Sequence, residues 1–437
     1  MIALRSAIRS KLVVTLLVVL LLTVVGLPMT VKGDGSLSGQ LRIMLYYTLG
    51  LATMILSAAT VWAACGAVSL EIADKSVQLV AVKPVRRFEI WLGKWLGLML
   101  MNSVLLTCVG ITTYVLVLVQ MGREGLPGKE VETAGNEILT GRRLAFPHVE
   151  PLDREAKERL DQLYKAGRVP AGETREHAQE VVRQQLLMER SVVQAGASRK
   201  WQFDAPVKTS RNETILLRLR FYRMMMDWGR ISGTWTVGPE DAPHAYTTHV
   251  GDFPGNAVKL SIPATAVPAG KRIIVEFRND EKGKSSTVGF DPHTSVEMLI
   301  TESSFGPNFV RALFVVFCYL ALLAALGVTA GSLFSFPVAA FVSAAVLAIS
   351  GLSDYFVRYS APDSASAWQG WLINKLNLVI TPSLDFTPLA NLSDGLLVSW
   401  GMCFKAVLVL LVIYSGVLAL LGGAALKARE LALPELD

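Results

Sequence analysis

The residues best suited to acid–base or metal chemistry are the five histidines, because imidazole titrates near neutral pH and ligates most transition metals. They stand at 148, 177, 244, 249 and 293, all in one central stretch of the 437-residue chain. His244 and His249, with Met224, Met225 and Met226 upstream, are the candidate metal ligands. A spacing of five across Tyr246 and Thr247 matches no zinc pattern, and ordinary loop histidines are the simpler reading. The four cysteines, Cys65, Cys108, Cys318 and Cys403, all fall in apolar runs, where cysteine packs as a small hydrophobe. No Cys-x-x-Cys pair, Gly-x-Ser-x-Gly elbow or His-Glu-x-x-His helix occurs, so the expectation is no catalytic, cofactor or metal residue in this chain.

The elements around these residues explain why chemistry is sparse. Hydrophobic residues make up 52% of the chain, charged ones only 18%, and the mean hydropathy is +0.43, which excludes an ordinary soluble globule. The formal net charge of +6 does not indicate nucleic acid, because basic and acidic residues interleave, as in Arg154, Glu155, Lys157, Glu158, Arg159 and Asp161. Runs of about 20 apolar residues match the length a helix needs to cross a bilayer. Six are found, at roughly 12–31, 43–70, 91–119, 309–333, 337–357 and 401–426. The first is read as a retained helix, since no small-residue cleavage site follows it.

Lysine and arginine in short flanking loops mark the cytoplasmic side. Arg5, Arg9 and Lys11 precede the first run, Lys75, Lys83, Arg86, Arg87 and Lys94 join the second to the third, and Lys427 and Arg429 follow the sixth. Both termini are therefore expected in the cytoplasm of a cell with the chain in its inner membrane, leaving 120–308 and 358–400 outside. Four charges near the outer ends of the spans, Arg311, Asp354, Arg358 and Lys405, are read as structural anchors. In 358–400, Trp368, Trp371, Leu372, Leu376 and Leu378 suggest an amphipathic helix lying in the outer interface.

Within the insert, Ala178, Val181, Val182, Leu186, Val192 and Ala195 recur at helical spacing and predict one or two amphipathic helices across 153–197. From Trp201 the pattern changes to short alternating runs at 215–222, 233–237, 258–262, 272–278, 287–290 and 296–300, the mark of a β-sandwich or jelly roll. The expected fold is a polytopic α-helical membrane protein of six spans with an inserted extracytoplasmic α+β domain. Its parts are 1–119 with a cytoplasmic hairpin at 71–90, a helical segment at 120–200, a β-rich domain at 201–307, and 308–437.

The hairpin carries the most informative local order. Val77, Leu79, Val80 and Val82 give a short amphipathic helix that Pro84 stops, and a cationic apolar segment with Arg86, Arg87 and Lys94 follows. An acidic residue, a short helix, Pro-Val-Arg-Arg and Gly-Lys-x-Leu-Gly occur in sequence, at Glu71, Leu79, Pro84, Val85, Arg86, Arg87, Gly93, Lys94, Leu96 and Gly97. This order resembles the ABC-2 type transporter permeases, closest to those labelled as permeases for multi-copper enzyme maturation. The stretch 331–340 and the closing Arg429-Glu430-Leu431 are similar as well, while Asp74-Lys75-Ser76 replaces the Gly-Thr many members carry. The resemblance covers both membrane portions, roughly 1–120 and 308–437.

The resemblance implies the membrane half of an exporter. Glu71, Val77, Leu79, Val80, Pro84, Val85, Arg86, Arg87, Gly93 and Lys94 would couple it to a separate cytoplasmic ATPase that uses ATP. No phosphate-binding loop occurs in this chain, since Gly122 to Lys129 has the wrong spacing, and Leu37-Ser-Gly-Gln40 is a chance echo of an ABC signature. The expected partners are that ATPase, a second permease half formed by another copy, the lipid bilayer, and an extracytoplasmic partner for 201–307. The competing reading is a membrane-anchored extracytoplasmic binding or scaffold protein.

Overall fold

The computed structural model describes residues 11–30, 36–74, 86–123, 127–148, 152–168, 174–204, 214–223, 230–252, 257–281, 287–291, 294–359 and 386–428. The chain divides into two compact units, one formed by Met1–Gly141 and Ser303–Asp437, the other by Arg142–Glu302.

The first unit is helical. Its described helices are α1 (Lys11–Thr30), α2 (Leu37–Ala73), α3 (Arg87–Met121) and α4 (Gly128–Glu137), followed after the insert by α7 (Phe305–Leu333), α8 (Phe336–Tyr359), α9 (Pro388–Ser393) and α10 (Trp400–Ala428). Four of them, α2, α3, α7 and α10, are long and apolar enough to cross a membrane. This is a membrane protein. The helices α1 and α8 coincide with the first and fifth apolar runs of the sequence.

The helix α7 is the axis of this unit. Its residues Ala312, Val315, Cys318, Leu320, Ala321 and Ala325 are all buried, and apolar clusters around it take side chains from α2, α3 and α10. Gly327 and Gly331 let it approach α2 closely: a Cβ on Gly331 would stand 2.5 Å from the carbonyl oxygen of Cys65. Small residues four apart are how helices meet inside a bilayer, where no hydrophobic effect drives them together. Near its start, Asn308 donates to the Leu396 carbonyl at 2.8 Å and accepts from the Val398 amide at 2.8 Å, fixing the segment before α10.

The second unit begins with β1 (Thr140–Ala145) and the helices α5 (Leu152–Lys165) and α6 (Arg175–Ser191), which pack on each other through Ala156, Leu160, Ala178, Val182 and Leu186. The amphipathic stretch thus forms two helices. The strands β2 (Val192–Val193), β3 (Ser198–Phe203), β4 (Thr214–Arg220), β5 (Tyr222–Arg223), β6 (Ile231–Pro239), β7 (Tyr246–Asp252), β8 (Ala257–Pro263), β9 (Ile273–Asn279), β10 (Val288–Gly289) and β11 (Val296–Ser304) complete it. They form two four-stranded sheets, ordered β1-β11-β4-β8 and β3-β9-β6-β7, and a small sheet β2-β10-β5.

Period-two patterning shows why these segments pair in this register. On β4, Ile215, Leu217 and Leu219 enter a shared core with Val296, Met298 and Ile300 of β11, and with Trp235, Val237, Val275 and Phe277 from the other large sheet. Trp201 and Trp235 stack at 5.9 Å at its centre, with Phe290 edge-on to both. The opposite face of β4 and β11 is also buried at Leu216, Glu297 and Leu299, and Arg218 on that face is partly buried.

Candidate functional site

The root of the hairpin at 71–90 is where the sequence-derived residues and the packing meet. Glu71 lies in the last turn of α2 and Lys94 in the second turn of α3, and the two form an ion pair across the arms. Their side chains are about one third exposed. A pair of that exposure contributes below about 1 kcal/mol, so its value is orientation more than stability. Deeper along the same two helices, Thr60 donates to Asn102 Oδ1 at 2.9 Å with both residues fully buried. The two arms are thereby linked at two levels.

Arg86 is the residue before α3 and is exposed, its backbone amide meeting the Glu89 carboxylate at 3.4 Å. Arg87 turns inward and donates through one guanidinium nitrogen to the carbonyls of Leu426 and Lys427, at 2.7 and 2.9 Å. These are among the last carbonyls of α10, which have no helical partner and carry the negative end of the helix dipole, so a guanidinium is well matched to them. Gly93 faces open space, with nothing near where a Cβ would stand. Val77, Leu79, Val80, Pro84 and Val85 lie outside the described residues.

Sequence reasoning missed the aromatic row beside these charges. Phe88, Trp91 and Trp95 stack in succession along α3 at 6.5 and 6.1 Å. Trp91 is fully buried against Gly422 of α10 and donates its indole N–H to Thr329 of α7 at 3.2 Å, while Thr329 donates to the Leu418 carbonyl of α10 at 2.9 Å. Trp95 donates to the Ala321 carbonyl at 2.9 Å. The signal was available in the spacing of Phe88, Trp91 and Trp95, three and four apart, which puts them on one helical face.

Of the four charges read as anchors, the side chains of Arg311 and Lys405 are described. Arg311 is buried, donates to Ser303 at 2.7 Å and to the Pro307 carbonyl at 3.1 Å, and lies 5.5 Å from the Trp400 ring. The side chains of Asp354 and Arg358, and the residues Trp368 to Leu378, lie outside the described residues.

The described histidines form no cluster with three or more potential metal ligands. His148 bridges to Gln202, His177 is exposed on α6 and His244 is exposed in the turn before β7, while His293 and Met224 to Met226 lie outside the described residues. Among the described residues no group of three or more His, Cys, Asp or Glu is placed to hold a metal ion. His249 instead joins a surface network on β6, β7 and β9: Thr234 Oγ1 is 2.9 Å from His249 Nδ1 and donates to Asp280, whose other oxygen accepts from Arg278 at 2.8 Å. Burial would raise the Asp280 carboxyl, but the bonds from Thr234 and Arg278 outweigh it and hold it below the usual carboxylate value.

A carboxylate held low in the fold stabilises at pH above its unfolded value and loses that contribution as pH falls through its folded value. Asp280→Asn is therefore expected to lower the thermal midpoint at neutral pH, with the gap to the unmodified protein closing below about pH 4. A gap that stays constant from pH 7 to pH 3 would show that the charge of Asp280 does not matter.

No known family model, curated protein or solved structure matches this chain. The functional reading therefore rests on the site itself and on the sequence resemblance.

Proposed function

We propose that the chain is the membrane-spanning permease subunit of an ABC-type transporter, moving or extruding a substrate with energy from a separate cytoplasmic ATPase that docks on the hairpin at 71–90. The observation that carries the reading is the root of that hairpin. Its arms are paired through Glu71 and Lys94, tied to the end of α10 by Arg87, and locked to α7 by Trp91. A displacement applied at the loop is therefore delivered to α2, α3, α7 and α10 together, as a power stroke from a docked ATPase requires. A loop that only joins two anchoring helices has no need of these ties.

In this reading α1 and α8 also cross the membrane, giving six spans with both termini cytoplasmic and the unit Arg142–Glu302 outside. The distribution of Lys and Arg supports that orientation. A second copy completes the transporter, which works by alternating access.

Purification from native membranes is expected to bring down a protein with a phosphate-binding nucleotide loop, and its absence sinks the proposal. Leu79→Asp is expected to return ATP hydrolysis to the level of the ATPase alone while the permease still folds. Unchanged complex formation and hydrolysis would instead favour the scaffold reading, in which the helices serve only as an anchor.

A further inference from the structure

A groove of about 600 Å³ opens on the helical unit between α1, α2, α7 and α10, with Tyr46, Gly50, Met54, Val316, Phe386 and Leu410 in its wall. Both π-helical stretches of the described chain, Met44–Thr48 in α2 and Val407–Tyr414 in α10, border it. Such stretches are rare and concentrate at functional sites, because the wider turn breaks the regular packing of one helix face. Two of them on one groove is an arrangement that simple helix packing does not call for.

The groove far exceeds the roughly 15 Å³ that admits a water molecule, yet its wall is mostly apolar and offers water few partners. In membrane-spanning helices the apolar material at hand is a lipid chain. A charge stands next to one wall residue: Lys405 Nζ, itself outside the lining, lies 5.7 Å from the centre of the Phe386 ring. Tyr46 and Tyr47, half exposed, supply the amphipathic rings favoured at headgroup level.

We propose that this groove is a binding site for one anionic phospholipid, with an acyl chain along Gly50, Met54 and Val316 and the phosphate at Lys405. A lysine near an anionic headgroup weighs about 1 kcal/mol, or about fivefold in affinity. This site rests on the membrane nature of the helical unit alone and is independent of any ATPase.

The test is native mass spectrometry of the full-length protein in detergent, titrated with phosphatidylglycerol or phosphatidylcholine of equal chain length. The unmodified protein is expected to retain one phosphatidylglycerol with about fivefold preference. Lys405→Gln levels the two lipids. At Gly50 a Cβ meets nothing within 4 Å, so Gly50→Leu fills the groove without displacing a neighbour and cuts retention of both lipids about tenfold. Met54→Trp, at an exposed lining position, is the second filling variant should Gly50→Leu not fold. Equal retention of the two lipids by the unmodified protein, or retention unaffected by either filling variant, overturns the site. So does a filling variant that splits a dimer without changing the lipid count, since the occupant is then a second copy.

Discussion

Gly331→Val is expected to abolish the folded helical unit, leaving no monodisperse protein after detergent extraction. A Cβ at 331 would meet the Cys65 carbonyl oxygen at 2.5 Å and its carbon at 3.3 Å, both of them backbone atoms of α2. One turn earlier, a Cβ at Gly327 would stand 2.5 Å from Ala64 Cβ and 3.1 Å from the Val61 carbonyl oxygen. Neither contact is relieved by turning a side chain, so α7 must back away from α2 as a whole. Overpacking commonly costs about 1–3 kcal/mol where neighbours can shift, and more where they cannot. Against a total stability of about 5–15 kcal/mol, the separation of two central helices is not survivable. Gly331→Ala brings the same Cβ against the same backbone and is expected to fail in the same way, whereas Gly416→Ala, whose Cβ meets nothing within 4 Å, should match or slightly exceed the unmodified protein. An unchanged midpoint for Gly331→Val would show that α2 and α7 are not held by backbone approach.

The interface between α2 and α7 was written in the sequence as Gly-x-x-x-Gly at 327–331, yet it did not stand out among 35 glycines in an apolar chain. Apolar length carries the existence of the helices well, because the bilayer forces the backbone to satisfy itself within each span. It does not carry their contacts, since lipid-facing and buried positions are equally apolar. The β-rich unit shows the opposite balance. Alternation exposed β4, β6, β8, β9 and β11, and the run at 287–290 covers β10, but Thr140–Ala145, Ser198–Phe203 and Tyr246–Asp252 were missed, since each mixes polar and apolar residues without a clean period. The two-residue strands β2 and β5 are too short for any periodicity. At the hairpin, composition gave the cations but not their targets. Arg87 looks like a lipid-facing charge until α10 is seen to end beside it, a proximity separated by more than 300 residues of chain.

Glu297→Ala is expected to destabilise the β-rich unit by roughly 3–5 kcal/mol, the cost of leaving a buried charge without its partner. Glu297 of β11 lies opposite Arg218 of β4 in register and forms an ion pair with it, with side chains only 5% and 12% exposed. Both project from the face of the sheet away from the main core, where Leu216 and Leu299 are buried beside them. Across β4 the next residue in register is Lys259 of β8, so removing the carboxylate leaves two cations side by side on one sheet face. Like charges in that position repel, which adds to the desolvation cost of Arg218. The pair itself need not be favourable relative to apolar residues, because taking two charges out of water offsets most of their attraction. Arg218→Met with Glu297→Leu should therefore recover most of the stability lost in the single variant. Denaturation of the full-length protein followed by the fluorescence of Trp201 and Trp235, which stack in the core of this unit, reads both variants. Equal destabilisation by the single and double variants would mean that volume and not charge sets the cost at this position.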